Sequence, residues 1–440
     1  MGLRVHLVGI CGSGMSALAM WYSSRGFTVS GCDRSPGDNM RELERASVTV
    51  LKGHDVSHAA DCDLLVYSAA VPSDHPEVVA AREAGVRVLR RSEALAELAN
   101  GTRLLAVAGA HGKTTTTAMT GWILQEAGLD PTVMLGGYVT PWDGNFRNGS
   151  TISVVEADEY DRTFLRLRPV SAAVTNFALD HLECYGSPEA LSMAFGIFLE
   201  MTRPGGTVIV PRKSRDLGHW AERIGRHLVT TGPGGDFECS SLGPSGWGVE
   251  YTVSGVSGRL PVPGEHNLRN AETAIALAGT MGVNTEVSVE ALSSFPGVAR
   301  RLENIGSSGG SLLLSDYAHH PDEIRAALKA VKNTLPGNLG VVFQPHLYSR
   351  TAAQAEEMGL ALLAADWSAV LPIYPAREEP LPGVTGSLVS DACRRAGGDS
   401  EYFDRDDLRE LLFRRSADVV VFMGAGSIDG MARRLAGESR

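Results

Sequence analysis

Several features are missing from this 440-residue sequence, and each absence narrows what it can be. There is no C-x-x-C pair. The six cysteines Cys11, Cys32, Cys62, Cys184, Cys239 and Cys393 are scattered, which speaks against a zinc or disulfide framework and fits small buried hydrophobes in a reducing cytosol. There is no excess of positive charge. A net charge of −11 argues against a nucleic-acid or anionic-membrane partner, while leaving room for a local basic pocket for phosphates. No apolar run is long enough for a membrane span. The stretch Val5 to Tyr22 imitates a signal peptide, but His6 and three glycines interrupt it and only Arg4 precedes it. No export signal and no membrane insertion are therefore expected. No short-period repeat stands out.

What is present is alternation. Apolar strand-like runs alternate with helical segments, the pattern of parallel α/β sheets, and the length exceeds what one core holds. The expected fold is α/β in three domains. Residues 1–99 form an N-terminal Rossmann-like domain. Residues 100–297 form a central P-loop mononucleotide-binding domain, a mostly parallel sheet with antiparallel decoration over Gly232 to Gly258. Residues 298–440 form a C-terminal Rossmann-like domain. Glu97 to Arg103 and Gly297 to Arg301 read as hinges between them.

The most informative segment is Val107-Ala-Gly-Ala-His-Gly-Lys-Thr-Thr-Thr-Thr117. It follows the apolar run Leu104 to Val107 and opens a helical segment. Strand, glycine turn, Lys-Thr and helix make a phosphate cradle, in which backbone N–H groups and a helix N-terminus face the anion. The lysine adds charge and a threonine hydroxyl reaches Mg²⁺. The spacing is the short G-x-x-G-K-T-T rather than G-x-x-x-x-G-K-[ST]. Four consecutive threonines are poor helix formers, which points to a ligand at Gly109, Ala110, His111, Gly112, Lys113, Thr114 and Thr115. The structural alternative is a plain glycine turn with a solvated lysine.

Other segments fall at predicted strand ends. Gly9-Ile-Cys-Gly12-Ser13-Gly14-Met15-Ser16-Ala17 carries G-x-G-x-x-A, with Asp33 at the end of the next strand, where a ribose-binding acid belongs. That loop suits an NAD site, the diphosphate of a nucleotide-sugar, or a structural turn. Glu156, Asp158, Glu159 and Asp161 cluster after a strand, suited to Mg²⁺ or to a solvated turn. Asp180 and His181 follow another strand. Pro263 to Asn270 precedes an alanine-rich helix that Asn267 could simply cap. Asp316-Tyr317-Ala-His319-His320-Pro321 and Phe343-Gln-Pro-His346-Leu347-Tyr-Ser-Arg350-Thr351 would meet at one sheet edge. No acid sits near these histidines at metal spacing, so a small zwitterion or phosphate fits better.

Taken in order, "GICGSGMSALA", "YSAAVPSDHPE", "AGAHGKTTTT", "EADEYD", "NFALDHLECYG", "PGEHNLRNA", "GVARRLE", "SDYAHHPDE" and "FQPHLYSRT" resemble the Mur ligases, ATP-dependent amide-forming enzymes of peptidoglycan synthesis, over the whole chain. The resemblance implies a UDP-sugar-binding first domain, an ATP-binding centre and a C-terminal domain that closes over both with an amino acid. It implies that the lactyl carboxylate of UDP-N-acetylmuramate attacks the γ-phosphate of ATP to give an acyl phosphate, which L-alanine then opens. By the same resemblance Lys113, Glu156 and His181 are catalytic, with Thr114, Glu156 and His181 around Mg²⁺. His266, Asn267, Arg301 and Asp316 complete the ATP site. Gly12, Ser13, Gly14, Met15, Ser16, Asp33 and Ser68 hold the UDP-sugar, and Tyr317, His319 and Arg350 surround the amino acid. A cytoplasmic monomer or homodimer is expected. Departures from the family pattern fall at Cys11 for glycine, Tyr160 for serine, Ser315 for aspartate and Leu347 for arginine. The stretch Met193-Ala-Phe-Gly196 lacks the lysine that other branches carbamylate, as in the alanine-adding and tripeptide-recycling branches. Gln344 and His346 favour the single-amino-acid branch over recycling. Folylpolyglutamate-type ligases lack the first domain. An NAD-dependent oxidoreductase, built on the first loop, leaves the cradle unexplained.

Overall fold

The computed structural model describes residues 2–34, 37, 39–159, 162–177, 185–376, 378–404 and 407–437. The first sheet contains β1 (Arg4–Val8), β2 (Thr28–Asp33), β3 (Thr49–Lys52), β4 (Leu64–Tyr67) and β5 (Arg87–Arg90), in the order β3-β2-β1-β4-β5. Every pairing in it is parallel. The second sheet contains β6 (Arg103–Ala108), β7 (Thr132–Val139), β8 (Gly144–Arg147), β9 (Ile152–Glu156), β10 (Ser171–Val174), β11 (Thr207–Pro211) and β12 (His227–Thr231). Its order is β12-β11-β10-β6-β9-β7-β8, parallel except for the β7–β8 edge pair. In both sheets strand order reverses, at β1 and at β6. The carboxyl end of such a strand opens the crevice where α/β proteins bind ligands.

A small sheet of β13 (Cys239–Ser245), β14 (Gly248–Val253) and β15 (Val256–Leu260) follows. Two-residue connections between neighbours permit only hairpins, since parallel strands need long crossovers. This is the decoration expected near 232–258. The last sheet holds β16 (Glu303–Ser308), β17 (Ser311–Asp316), β18 (Leu339–Phe343), β19 (Trp367–Val370), β20 (Ser400–Tyr402) and β21 (Val419–Met423), ordered β16-β17-β21-β18-β19-β20. Only β16–β17 is antiparallel.

Two units are distinguished. One comprises Met1–Ser240, Thr252–Gly258 and Leu268–Pro296; the other comprises Ser241–Tyr251, Arg259–Asn267 and Gly297–Arg440. Within the first unit the first two sheets share one apolar cluster, from Leu7 and Trp21 to Leu104, Val155 and Val208. A fully buried aliphatic or aromatic side chain contributes about 1.5–3 kcal/mol, so this shared core couples the two sheets. The helix Arg91–Asn100 takes part in it through Ala94, Leu95 and Ala99. Its last turn occupies most of the segment expected as a hinge at Glu97 to Arg103. The polar residues that suggested a hinge are the helix's outer face, and Asn100 is tied to Arg166 and Arg168. Among the described residues no helix is long and apolar enough to cross a membrane.

Candidate active site

β6 is buried from Leu104 to Ala108, and the chain leaves it at Gly109 with φ +133°, reaching φ +81° at Gly112. A Cβ at Gly109 would collide with Thr175 Oγ1, and one at Gly112 with Asn270 Oδ1. Both glycines are therefore required by backbone and by space. The loop is clamped from β10's end. The His111 N–H donates to Asn176 Oδ1 at 3.0 Å, and Asn176 Nδ2 donates to the His111 carbonyl at 2.8 Å. The helix Lys113–Glu126 starts here, with its N-terminus turned to the loop. Thr116 and Thr117 are fully buried, and Thr116 Oγ1 donates to Asn270 Oδ1 at 3.3 Å. Packing thus accounts for the second half of the threonine run, which the sequence alone assigned to a ligand.

Lys113 Nζ donates to the Gly109 carbonyl and to Glu159 Oε1, each at 2.6 Å. Burial opposes its charge, but Glu159 and Glu156 outweigh that and hold the ammonium above its ordinary pKa. Thr114 Oγ1 donates to Glu156 Oε1 at 3.1 Å, and the Gly136 N–H donates to Glu156 Oε2 at 2.7 Å. The acidic cluster is therefore divided. Glu156 faces Thr114, Glu159 pairs with Lys113, and Asp158 lies 3.4 Å from Arg91 Nη2. Tyr160, Asp161, Asp180 and His181 lie outside the described residues.

The first loop leaves β1 at Gly9, φ +80°, beside Ser68 at the end of β4. Asp33 Oδ2 accepts the Cys11 N–H at 3.0 Å, so the predicted ribose acid holds the loop backbone. Cys11 is absent from the positive-φ positions, the condition under which it replaces glycine without strain. The helix Ser13–Ser24 follows Gly12. Met15 lies in the core, and the Ser16 hydroxyl donates to the Ser13 carbonyl. Both side chains are buried, and both N–H groups donate to the Gly12 carbonyl at 2.9 Å. Gly14 packs against Arg91, whose guanidinium a Cβ would approach to 2.8 Å. Arg91 and Gly136 were not among the sequence-derived candidates, because only folding brings them to these loops. Ser13 Oγ donates to the Gly136 carbonyl at 3.3 Å. Ser13, Gly136, Glu156 and Thr114 thus form one chain of contacts between the two glycine loops.

In the second unit, Asp316 ends β17. Its carboxylate accepts the Leu302 and Ala318 N–H groups, both at 2.8 Å. Burial pushes its pKa up to about 6, partly offset by Arg301. Burial and Arg301 together push His266 down to about 4. Asn267 lies inside the helix Glu265–Gly279, and its Nδ2 donates back to the Pro263 carbonyl at 2.7 Å, so it is not the cap that the sequence offered as an alternative. The Tyr317 ring has Arg300 and Arg301 at 4.8 and 5.2 Å. His319 Nδ1 lies 2.9 Å from the Tyr317 carbonyl, and its ring is 6.0 Å from that of His346. Arg350 Nη1 and Arg300 Nε are buried and lack a hydrogen-bond partner among the described residues. Buried donors of this kind are rare unless something else satisfies them, and two guanidinium groups suit a carboxylate or phosphate. Ser315 is bonded to Asp429 at 2.6 Å. Leu347 adopts φ +72° immediately before the helix Tyr348–Leu362 that carries Arg350.

A lysine-bearing phosphate cradle on one parallel sheet, linked to a second glycine loop on another, defines a multidomain α/β nucleotide-binding protein. The chain belongs to the Mur ligase family. Residues 4–103 match the "Mur ligase family, catalytic domain", 107–278 the "Mur ligase middle domain" and 300–426 the "Mur ligase, glutamate ligase domain". The chain is 42% identical over 442 residues to UDP-N-acetylmuramate–L-alanine ligase of Kineococcus radiotolerans, covering 97% of this chain and 94% of that one. Its fold is similar to the UDP-N-acetylmuramate–alanine ligase of Thermotoga maritima, with a TM-score of 0.84, 29% identity and coverage of 99% and 98%. A murein peptide ligase from Psychrobacter arcticus gives 0.72 at 26% identity, with the same coverage. The fold is thus the three-domain α/β architecture of this family.

Proposed function

We propose that the chain is an ATP-dependent ligase that joins L-alanine to the lactyl carboxylate of UDP-N-acetylmuramate in peptidoglycan precursor synthesis. The observation that supports this reading is the contact chain Ser13–Gly136–Glu156–Thr114, which joins the first glycine loop to the Lys113 loop. The substrate carboxylate attacks the γ-phosphorus and ADP leaves; the alanine amine then attacks the acyl phosphate and phosphate leaves. A carboxylate and a phosphate repel each other, so catalysis is positioning and charge neutralisation. Lys113 neutralises the β/γ oxygens, exchanging Glu159 for phosphate as nucleotide enters. Thr114 and Glu156 offer the hydroxyl and carboxylate oxygens that a hard cation takes, and the family resemblance adds His181. Mg²⁺ held by these residues would supply positive charge for the transfer.

The loop Gly12–Ser16, with Asp33 and Ser68, takes the UDP-sugar, and Arg91 adds a cation beside it. The cradle from Gly109 to Thr115 takes the triphosphate, with His266, Asn267, Arg301 and Asp316 on the nucleoside side. Tyr317, His319 and Arg350 receive the amino acid, whose carboxylate satisfies the buried guanidinium donors; Arg300 supplies charge that Leu347 cannot. Domain limits of 1–99, 100–297 and 298–440 and a cytoplasmic site of action follow from the same reading. Murein tripeptide recycling is the second reading, favoured by the Psychrobacter arcticus likeness. A phosphate-release assay with ATP, Mg²⁺ and UDP-N-acetylmuramate separates them. We expect release with L-alanine and little with the tripeptide; equal ATP turnover without any amino acid would refute the ligase reading.

A further inference from the structure

Behind the first glycine loop, the first sheet encloses a cluster that the proposed reaction does not use. His6 projects from β1, Cys32 from β2, His58 from the short turn Val56–Ala59 and Glu77 from the helix Pro76–Glu83. One ligand atom from each lies within 4.8 Å of all the others. His6, Cys32 and Glu77 are buried, at 1%, 0% and 0% exposure. Cys32 Sγ is 3.1 Å from Glu77 Oε2, and His58 Nδ1 is 3.3 Å from Glu77 Oε1. Four donors around a tetrahedral ion with bonds of about 2.0–2.3 Å stand about 3.3–3.8 Å apart, so the Cys32–Glu77 and His58–Glu77 separations are already close to that range and the widest pair must close by up to about 1 Å.

Two further observations point to a ligand. His6 Nε2 is buried with no hydrogen-bond partner among the described residues, while His6 Nδ1 lies 2.9 Å from Ser30 Oγ. With Ser30 accepting, the proton sits on Nδ1 and a lone pair on Nε2 faces the cluster, the arrangement of a metal-bound imidazole and its supporting hydrogen bond. The Glu77 carboxylate, meanwhile, is fully enclosed. Its Oε1 accepts the Asp55 N–H at 2.7 Å and its Oε2 the Cys32 thiol; its ion-pair neighbours are His54 and His58, and among the described residues no lysine or arginine pairs with it. A buried carboxylate without a firm cation is costly, and a divalent ion would offset that cost.

We infer that His6, Cys32, His58 and Glu77 form a structural site for zinc or a similar thiophilic divalent cation. Two imidazoles, a thiol and a carboxylate select such an ion over magnesium, which takes oxygen donors. On binding, Cys32 Sγ loses its proton to solvent and ligates as thiolate. The scattered cysteines had argued against zinc from sequence; the ligands come instead from four separate elements. The Cys32 carbonyl accepts the Gly9 and Ile10 N–H groups at 2.8 and 3.1 Å, so the ion would brace the strand end from which the first loop hangs.

The test is metal analysis by mass spectrometry of the full chain, purified without a polyhistidine tag or chelator. We expect about one zinc per chain, and a loss of affinity of at least about tenfold in Cys32→Ser and, through the supporting bond alone, in Ser30→Ala. Chelator-stripped wild type should take up Co²⁺ with a thiolate charge-transfer band and gain thermal stability on adding Zn²⁺, measurements that need no variant to fold. Wild type that neither carries zinc nor binds Zn²⁺ or Co²⁺ after stripping would overturn the inference. So would a Cys32→Ser protein that retains wild-type stoichiometry and affinity.

Discussion

In the proposed reaction Lys113 has two binding states to serve with one ammonium. Without nucleotide it is held by Glu159 and the Gly109 carbonyl; with nucleotide it must turn its charge to the phosphates. Lys113→Ala should cut turnover by at least about 10²-fold, the scale for removing one preorganised donor to developing charge, with the circular-dichroism spectrum retained. It should also cost stability, on the order of 3 kcal/mol, because Glu159 is then buried without its partner. Adding Glu159→Gln should restore most of the stability and none of the turnover. Denaturant titrations and phosphate release on the three variants separate the two roles, and a double variant that regained activity would remove Lys113 from the chemistry.

Asp316 makes the second residue-scale prediction, a dependence on pH. Burial raises its pKa from 3.8 to about 6, so the neutral form is favoured in the folded chain. The stability from that preference is fully present below about pH 3.8 and lost as pH rises through about 6. At 1.36 kcal/mol per pKa unit the change amounts to about 3 kcal/mol. Urea unfolding of wild type and Asp316→Asn across this range should show wild type losing ground by roughly that amount as pH rises. A constant difference would mean that the carboxyl titrates as though exposed.

At the scale of elements, the two loop glycines carry the cradle's shape. Gly109→Ala forces both an unfavourable φ and a collision with Thr175, at a cost of order 1–3 kcal/mol. The strain lies in the loop proposed to receive the triphosphate, so the KM for ATP should rise along with the loss of thermal stability. Gly128→Ala is the control. Gly128 also has positive φ but open space around its Cβ, and it lies at the far end of the helix Lys113–Glu126, so it should lose some stability and leave KM alone. The same elements explain what could be read from sequence. Buried parallel strands such as β1, β6, β18 and β21 are short apolar runs, and their loops carry glycine at fixed places. β5, Arg87–Arg90, is half-buried with an arginine at each end and has no such signature. The polar last turn of the helix Arg91–Asn100 and Gly101 after it read as a hinge in sequence because the buried face of that helix, Ala94, Leu95 and Ala99, is short. Glu156, Asp158 and Glu159 are adjacent in sequence yet go to Thr114, Arg91 and Lys113. Spacing announced the acidic cluster, but the division of labour within it depends on partners 42 to 67 residues away.

For the whole molecule, the question is how many cooperative blocks the chain contains. Three family segments match it, yet the first two sheets share one apolar cluster, while the last sheet is packed by clusters of its own. Blocks joined by a common core unfold together, because exposing one face of that core exposes the other. Calorimetry should therefore resolve two transitions rather than three. The loop proposed to take the UDP-sugar lies entirely in the first unit, so UDP-N-acetylmuramate at about 100 times its Kd should stabilise that transition by about 2.7 kcal/mol and leave the other in place. Because the core is shared, this ligand should also protect from amide exchange the C-terminal half of the helix Lys113–Glu126, far from the reacting groups. Three transitions, with the ligand moving only the smallest, would show the first sheet to be an independent block. The contacts from Ser13 to Gly136 and Glu156 would then be a docking surface rather than a fixed part of one body.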